Sequence, residues 1–272
     1  MAPRLPLEVV ERIIDNVAVY NDDPSSIKAC ALVCHSFLPV CRKHIFASVT
    51  LTTRQHSSPA GTRPSSDNFN RLLSNSPHLA VYIRKLDYHV TKKEFLSRRY
   101  LWLLPMFKKL VKLQKLRIGY YVSGGLRLDW MLSSVRKVLV PLLHFPTLTS
   151  VKLSSIKNFP LADLAACVNL KKLNILNLEW SNGVGKILDA LPATPALLEW
   201  LVIDDSNLKP LQQLRNARRP DGKPIIDFSS LKQIESRDVR IQTMTQFFGI
   251  CKNLHKIHLS SMSLPHVISS FI

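Results

Sequence analysis

The chain has few glycines and none of the motifs that glycine usually serves in enzymes. Only 8 of its 272 residues are glycine, and none forms a G-x-G-x-x-G fingerprint, a Walker loop or a nucleophile elbow. Histidines occur singly, without an H-E-x-x-H motif or a recognisable catalytic triad. We therefore expect no intrinsic catalysis and no cofactor.

Long apolar runs and paired cysteines are also missing. No stretch reaches the roughly 18 uninterrupted apolar residues of a membrane helix, and the N-terminal segment MAPRLPLEVVERIID is charged where a signal peptide is apolar. Five cysteines, an odd number, favour reduced thiols over a disulfide framework. These absences predict a cytoplasmic or nuclear protein that does not enter membranes.

Acidic residues are scarce in one part of the chain only. The formal net charge is +18, yet residues 1–50 hold five basic and five acidic side chains. The whole excess lies after residue 50, with 32 basic against 14 acidic residues. A neutral head and a cationic body indicate two modules with different partners, and such a body attracts nucleic acid or acidic and phosphorylated peptides.

The neutral head has the pattern of short helices. Val9, Val10, Ile13, Ile14 and Val17 recur every three to four residues, which predicts a helix from just after Pro6 to about Val17. Asp23 is a suitable N-cap and Pro24 a suitable first residue for a second helix. A last segment follows Pro39 and ends near Phe46. Such a unit of about 45 residues has little core of its own.

Residues 5–51 contain an L-P-x-E start, an apolar helical face, an Asp-Pro break, a C-x-L-V-C element and an aromatic-ended basic helix, in this order. This order of elements resembles an F-box of the type found in mushroom-forming fungi. Phe37 and His35 stand where the family usually carries Trp and often carries Arg. The matching residues are Leu5, Pro6, Glu8, Ile13, Ile14, Asp23, Pro24, Cys30, Leu32, Val33, Cys34 and Phe46.

The resemblance implies a substrate-recognition subunit of an SCF-type cullin ubiquitin ligase. Such a subunit docks on the Skp adaptor and brings a protein substrate to the ligase core for ubiquitin-dependent degradation, so catalysis belongs to other subunits. The adaptor contacts that it implies are Leu5, Pro6, Val9, Ile13, Ile14, Leu32, Val33, Cys34 and Phe37, some of which must instead be core residues.

A metal site is the competing interpretation of the cysteine-rich stretch. Thiolates and imidazoles bind zinc, and Cys30, Cys34, His35, Cys41 and His44 lie close together in sequence. The stretch has no C-x-x-C pair, and small free cysteines are commonly core residues. We therefore predict no metal.

The remainder of the chain is predicted to be a repeat domain. Residues 1–51 form the first unit, 52–75 a linker that begins with the Ser- and Pro-rich TTRQHSSPAGTRPSS, and 76–272 the repeats. An L-x-x-L-x-L pattern predicts a strand with an earlier leucine packed behind it. Its seven copies are Ile83/Leu86/Tyr88, Leu113/Leu116/Ile118, Leu148/Val151/Leu153, Leu170/Leu173/Ile175, Leu198/Leu201/Ile203, Leu231/Ile234/Ser236 and Leu254/Ile257/Leu259.

The repeat spacing predicts the fold class. Successive copies begin 22 to 35 residues apart, close to the leucine-rich-repeat length of roughly 20–29 residues. Helical patterns at Phe159–Cys167 and Val184–Leu191 separate strands. We predict an α/β protein, in which the helical F-box precedes an irregular leucine-rich-repeat solenoid with a curved parallel sheet. An ordinary α/β domain is the alternative.

The final segment, LPHVISSFI, does not have the polar character of a capping repeat. A solenoid needs such a repeat to cover its last open core. Either this segment folds back as an imperfect cap, or the sequence is a shortened product.

Basic clusters in the repeats are candidates for substrate binding. Arg clusters select acidic or phosphorylated segments, and the alternative is that these side chains are solvated and share no face. Nucleic acid is the rival partner, since Tyr120, Tyr121 and Trp130 could stack on bases. A further alternative is that the protein is a non-catalytic scaffold with a degenerate F-box. The substrate-binding residues that we predict are Lys171, Lys172, Arg215, Arg218 and Arg219.

Overall fold

The computed structural model describes residues 6–20, 24–52, 66–90, 103–120, 127–132, 134–181, 194–204, 209–237 and 251–260. The chain is a mixed α/β protein built around a parallel sheet, as the sequence predicts. Among the described helices, none is long and apolar enough to cross a membrane.

Three helices come first. They are α1 (Leu7–Tyr20), α2 (Ser25–Val33) and α3 (Leu38–Ile45). The predicted helix after Pro6 is confirmed and is three residues longer than expected. Pro24 occupies the N-cap of α2 instead of its first turn, and the predicted cap Asp23 lies outside the described residues. Phe46 ends α3 by donating its backbone N–H to the carbonyl of Arg42.

Within the described ranges, eight parallel strands follow one another across the sheet in chain order. A short additional strand, β4 (Leu128–Asp129), pairs with β5 (Ser150–Phe159). The ordered strands are β1 (Ser48–Thr52), β2 (Lys85–Val90), β3 (Lys115–Tyr120), β5 (Ser150–Phe159), β6 (Lys172–Trp180), β8 (Trp200–Asp204), β10 (Gln233–Arg237) and β11 (Lys256–Ser260). A separate two-stranded sheet joins β7 (Ala196–Leu197) to β9 (Ile226–Asp227).

Helical segments connect the strands. They are α4 (Ser66–Asn75), α5 (Leu103–Phe107), α6 (Ser134–Leu143) and α7 (Lys209–Asn216), with 3₁₀ turns at Pro77–Tyr82 and Leu161–Leu164. The helical pattern predicted for Phe159–Cys167 is therefore wrong in part, because Phe159 ends β5 and only a 3₁₀ turn follows. The pattern at Val184–Leu191 lies outside the described residues.

In each of the seven predicted L-x-x-L-x-L patterns, the first residue precedes a strand and the second and third residues lie on it, and all seven patterns are in register. The middle residues pair in one continuous row through the sheet, and most are fully buried because alternate side chains of a strand point to the same face. Val49 of β1 extends the row by one strand. The row consists of Val49, Leu86, Leu116, Val151, Leu173, Leu201, Ile234 and Ile257.

A repeated backbone hydrogen bond marks the entrance of each strand. The carbonyl of Ala47, just before β1, accepts the N–H groups of both Arg84 and Lys85 at 2.9 Å. The same two-donor arrangement recurs at each further step of the sheet. Its acceptors are the carbonyls of Ala47, Arg84, Gln114, Thr149, Lys171, Glu199 and Lys232. The strands therefore share one backbone geometry despite connections of different length.

The sheet begins earlier than the sequence indicated. Strand β1 follows α3 after only Phe46 and Ala47, within the segment assigned to the first unit. Residues 66–75, assigned to the linker, form α4, because Phe69 and Leu73 are four residues apart and bury one helical face in the sheet core. The described part of the predicted linker is thus a structural part of the sheet domain.

Candidate functional site

The three N-terminal helices have a small core of their own. Its buried side chains are Val10, Ile14, Ile27, Val40 and Cys41, and they form a cluster distinct from the large core of the sheet. Burial of a side chain of this kind stabilises a fold by about 1.5–3 kcal/mol. Five such side chains give a unit with modest stability.

An ionic contact joins the first and third helices. His44 Nε2 lies 2.6 Å and Lys43 Nζ 3.3 Å from Asp15 Oδ1. The hydrogen bond with His44, supported by Lys43, holds the pKa of Asp15 below its ordinary value. This contact helps to fix α1 against α3.

Large apolar side chains remain exposed on α1 and α2. Ile13 is 50% exposed, Leu32 88% and Val33 69%, although apolar groups of this size usually lie inside. Val9 and Ile13 are four residues apart and so lie on one side of α1. Exposed apolar side chains grouped on a small unit are typical of a protein-binding surface. The exposed set is Leu7, Val9, Ile13, Val19, Leu32 and Val33.

The predicted adaptor contacts differ in how exposed their side chains are. Ile14 is 1% exposed and belongs to the core, so a direct contact through Ile14 is not available in this conformation. Phe37 is half-buried and packs against the same core. Leu5 lies outside the described residues. The predicted contacts that are exposed are Pro6, Val9, Ile13, Leu32, Val33 and Cys34.

The cysteines of this unit occupy different environments. Cys41 is buried in the core, Cys30 is half-buried and Cys34 is exposed. Burial raises the pKa of the Cys41 thiol, and the neighbouring Cys30 and Cys34 raise it further. Within the described ranges, no group of three or more His, Cys, Asp or Glu side chains is arranged to hold a metal ion.

The predicted substrate-binding residues come from two parts of the chain. Arg215, Arg218 and Arg219 lie at the end of α7 and in the loop after it, whereas Lys171 and Lys172 lie at the entrance of β6. The Arg219 side chain is only 3% exposed and its Nη2 lies 3.3 Å from Asp221 Oδ2. The prediction that Arg219 contacts a substrate therefore disagrees with the structure, in which the loop buries this side chain.

The other predicted cations have local partners of several kinds. Arg218 donates to the backbone carbonyls of Arg215 and Ala217, which indicates a role in shaping the loop. Lys171 Nζ lies 3.1 Å from Glu199 Oε1, and Lys232 pairs with the same carboxylate. Lys172 differs from these residues, because its side chain lies on the open face of the sheet.

The open face is the side of the sheet opposite the apolar row. On β2, β3, β5 and β6, the positions that alternate with the row carry five cations against one carboxylate, Asp87. On β8, β10 and β11, the described side chains at such positions include one carboxylate, Glu235, and one lysine, Lys256. The positive charge is therefore concentrated in one half, which we call the basic sector: Lys85, Lys115, Arg117, Lys152 and Lys172.

One edge of the basic sector is an ionic cluster. His89 Nε2 lies 3.1 Å from Asp87 Oδ1, and Arg117 Nη1 lies 3.3 Å from Asp87 Oδ2. Burial raises the pKa of Asp87, but the hydrogen bond with His89 and the charges of His89, Arg117 and Lys85 outweigh burial and hold the pKa below its ordinary value. Asp87 therefore neutralises part of the positive charge of the basic sector.

Gly119 provides space beside this cluster. A Cβ at position 119 would lie 2.8 Å from Ser154 Oγ and 3.6 Å from His89 Nδ1. The first distance is shorter than a carbon–oxygen van der Waals contact, so a larger residue would force the neighbouring side chains to move. Glycine thus permits close packing on this face.

At the other edge, Lys172 packs on an aromatic ring. Its Nζ lies 2.8 Å from the centroid of the Trp200 ring, an arrangement in which the ring face attracts the ammonium. Burial lowers the pKa of Lys172, the charge of Glu235 opposes this effect, and the charge of Lys115 adds a smaller lowering.

Sequence reasoning named Lys172 as a substrate-binding residue but did not recognise the basic sector as one surface, because its members come from four strands. The sequence did contain a signal for this surface. When the seven apolar patterns are aligned with one another, the polar residues between their apolar positions show which side chains share the open face. Comparison with protein-family models finds no match for this chain, and comparison with curated proteins finds no match either.

Proposed function

We propose that this protein is the substrate-recognition subunit of an SCF-type cullin ubiquitin ligase. In this proposal α1–α3 are an F-box that docks on the Skp adaptor, and the strands form a leucine-rich-repeat solenoid that binds a protein substrate. The observation that carries the proposal is the exposure of Val9, Ile13, Leu32 and Val33 on a unit whose core, among its described residues, has five buried apolar side chains. A partner helix that covers these side chains would add apolar burial that the unit lacks.

The order of the strands supports the second half of the proposal. Eight parallel strands adjacent in chain order, with one residue of each pattern in a single buried row, are what stacked repeats produce. The open face then offers side chains from every repeat to a partner. The protein has no catalytic role in this proposal; it acts by proximity in the cytoplasm or nucleus, holding a substrate lysine where other subunits deliver ubiquitin.

A basic nucleic-acid-binding scaffold is the second candidate, and the basic sector is the observation that favours it. Lysines and arginines on one face neutralise phosphates and make binding depend on salt. The helical unit distinguishes the two candidates, because a nucleic-acid scaffold has no need for the exposed apolar side chains of α1 and α2.

The test is a pull-down of the full chain with purified Skp adaptor. The double variant Leu32→Asp/Val33→Asp replaces two exposed apolar side chains, and we expect it to lose adaptor binding while remaining folded. Leu132→Asp is the matched control, since Leu132 is 76% exposed but lies outside the helical unit. Retention of the double variant at the wild-type level, or no retention of the wild type, would reject the ligase assignment.

A further inference from the structure

The turn that leads into β3 exposes three lysines around one valine. Leu110 donates its backbone N–H to the carbonyl of Phe107, and Leu113 donates to that of Leu110. Bonds of this spacing bring every third side chain to the same side of the turn, and these three side chains are buried in the core of the sheet. The side chains between them are exposed: Lys108, Lys109, Val111 and Lys112.

The neighbouring turns place apolar residues beside Val111. Val81 before β2 and Pro146 before β5 stand, like Val111, two residues ahead of the first residue of their L-x-x-L-x-L pattern. Because the patterns are in register, these positions lie in successive layers of the fold. Thr147 Oγ1 donates to the carbonyls of Val111 at 3.3 Å and Leu113 at 2.7 Å, which holds the two turns together. Val81 is 40% and Val111 55% exposed, and Pro146 is also exposed, so the three form a short apolar row.

Carboxylates are absent from the segment that carries the lysines. Residues 95–128 contain eight basic and no acidic side chains. Within the described ranges, none of the three exposed lysines forms an ion pair. Further along the sheet the situation changes at Lys171, whose Nζ lies 3.1 Å from Glu199 Oε1. We call the exposed set before β6 the lysine–valine surface: Val81, Lys108, Lys109, Val111, Lys112 and Pro146.

Cations beside exposed aliphatic side chains match the surface of an anionic bilayer. Ammonium groups interact with anionic headgroups, and each lysine near such a surface raises the affinity by about fivefold. Aliphatic side chains enter the boundary between headgroups and acyl chains, where they are removed from water. The apolar stems of the lysines can lie along the same boundary while their ammonium groups stay in the headgroup layer. The lysine–valine surface offers both kinds of contact in one place.

We propose that the lysine–valine surface binds peripherally to membranes that contain anionic phospholipids. Such contact differs from insertion, and none of the described helices is long and apolar enough to cross a bilayer. Membrane binding goes beyond the proposed receptor function and does not depend on it, because none of these side chains is assigned to the adaptor. It gives the protein a partner of a different class at a different part of the chain.

The valines favour a bilayer over other polyanions. Proteins that bind single-stranded nucleic acid without sequence preference stack the bases on aromatic faces. The aromatic side chains of the adjoining turns, Tyr82 and Phe145, pack against the core of the sheet instead. An acidic peptide would pair with the lysines but would cover Val81 and Val111 only if it also carried apolar side chains. A bilayer satisfies the lysines and covers the valines together.

The probe is a vesicle of equimolar phosphatidylcholine and phosphatidylserine, with which the full chain is sedimented. Vesicles of phosphatidylcholine alone are the lipid control. A labelled single-stranded oligonucleotide and labelled polyglutamate, titrated by fluorescence polarisation, test the two other polyanions. We expect the chain to sediment with the mixed vesicles and to remain in solution with phosphatidylcholine alone, because the lysines require anionic headgroups.

One pair of variants tests the charge. Lys108→Gln/Lys109→Gln/Lys112→Gln should weaken binding to the mixed vesicles by at least about twentyfold. The control is Lys223→Gln/Lys252→Gln/Lys256→Gln, which removes the same charge from three exposed lysines near the other end of the sheet. It should weaken vesicle binding by no more than about threefold, since distant charges are screened by salt. Circular dichroism establishes that each variant is folded.

A second pair of variants tests the apolar row. Val81→Ser/Val111→Ser keeps every charge, so it should weaken vesicle binding by about tenfold and change oligonucleotide and polyglutamate binding by less than about twofold. Leu132→Ser/Leu197→Ser is the matched control, because these leucines are 76% and 52% exposed and lie outside the lysine–valine surface. It should leave vesicle binding at the wild-type level.

Several outcomes would overturn membrane binding by this surface. They are no sedimentation of the folded wild type with mixed vesicles, equal sedimentation with phosphatidylcholine alone, or equal losses in the test and control variants of either pair. Oligonucleotide or polyglutamate binding that falls as much as vesicle binding in Val81→Ser/Val111→Ser would assign the surface to that polyanion instead. Adaptor pull-down is scored separately, and its failure would reject the ligase function without affecting the vesicle result.

Discussion

The indole N–H of Trp130 donates a 2.8 Å hydrogen bond to Asp163, a carboxylate that is 5% exposed. Arg136 Nη2 donates to the other carboxylate oxygen at 2.8 Å. Trp130 also packs on Phe159, with ring centroids 4.9 Å apart. Asp163 thus links the 3₁₀ turn after β5 to α6 and to the aromatic part of the core.

Removal of this carboxylate should be among the most damaging single changes. Asp163→Ala leaves the Trp130 N–H without its acceptor and Arg136 without its counter-ion, so we expect a loss of about 3 kcal/mol in the free energy of unfolding. Urea denaturation measures the loss. Glu179→Ala is the control, because Glu179 pairs with Arg127 but is 55% exposed, and it should cost less than about 1 kcal/mol. Equal effects would show that the Asp163 network does not carry this stability.

The helical unit should respond differently to buried and to exposed changes. Ile14→Ala opens a cavity in its small core and should cost about 3 kcal/mol. Leu32→Asp changes an exposed side chain and should alter the free energy of unfolding by no more than about 0.5 kcal/mol. Hydrogen exchange of α1–α3 measures both. Strong destabilisation by Leu32→Asp would mean that Leu32 is covered within the chain and is not a docking residue.

The Asp87 cluster should make stability depend on acid pH. Because the folded-state pKa of Asp87 lies below its ordinary value of 3.8, its contribution is present in full above that value. The contribution is lost as the pH falls through the folded-state pKa. Asp87→Asn should therefore be less stable than wild type by about 2 kcal/mol at pH 7, with a smaller difference below pH 3.8. Unfolding curves across this range test the sign, and a constant difference would contradict it.

Gly119 and Ser154 should show energetic coupling. Gly119→Ala places a methyl group 2.8 Å from Ser154 Oγ, and we expect a cost of about 1 kcal/mol because a hydroxyl can rotate away. Ser154→Ala removes that oxygen, so the double variant should be more stable than the sum of the two single changes predicts. Additive effects in a double-mutant cycle would show that Ser154 is not the neighbour that limits residue 119.

The strands were predictable because their signal is local. Leu113, Leu116 and Ile118 lie within six residues, and this spacing alone specifies a strand with a leucine packed behind it. Strand β1 was missed because Val49 and Leu51 have no preceding leucine and lie at the end of the F-box resemblance. The signal for this strand was that Val49 and Leu51 are two apolar residues separated by one residue, which is the spacing of side chains on one face of a strand.

The candidate site was less predictable because register and loop burial are not local. Lys115 and Lys172 are 57 residues apart in sequence and become neighbours of Ser150 only through two strand pairings. Arg219 looked accessible because it belongs to a basic cluster, whereas the loop packs its side chain inside. Such contacts depend on the path of the loop, which residue types alone do not specify.

The backbone carbonyls that accept two N–H groups where each strand begins affect how the open face of the sheet can change by mutation. At each entrance the chain is held by backbone groups, so the first side chain of the strand takes no part in that bond. Across the sheet this position holds serine, lysine, tryptophan and glutamine. The fold therefore tolerates very different chemistry at this row, and a new ligand preference can arise there by single substitutions without a new backbone.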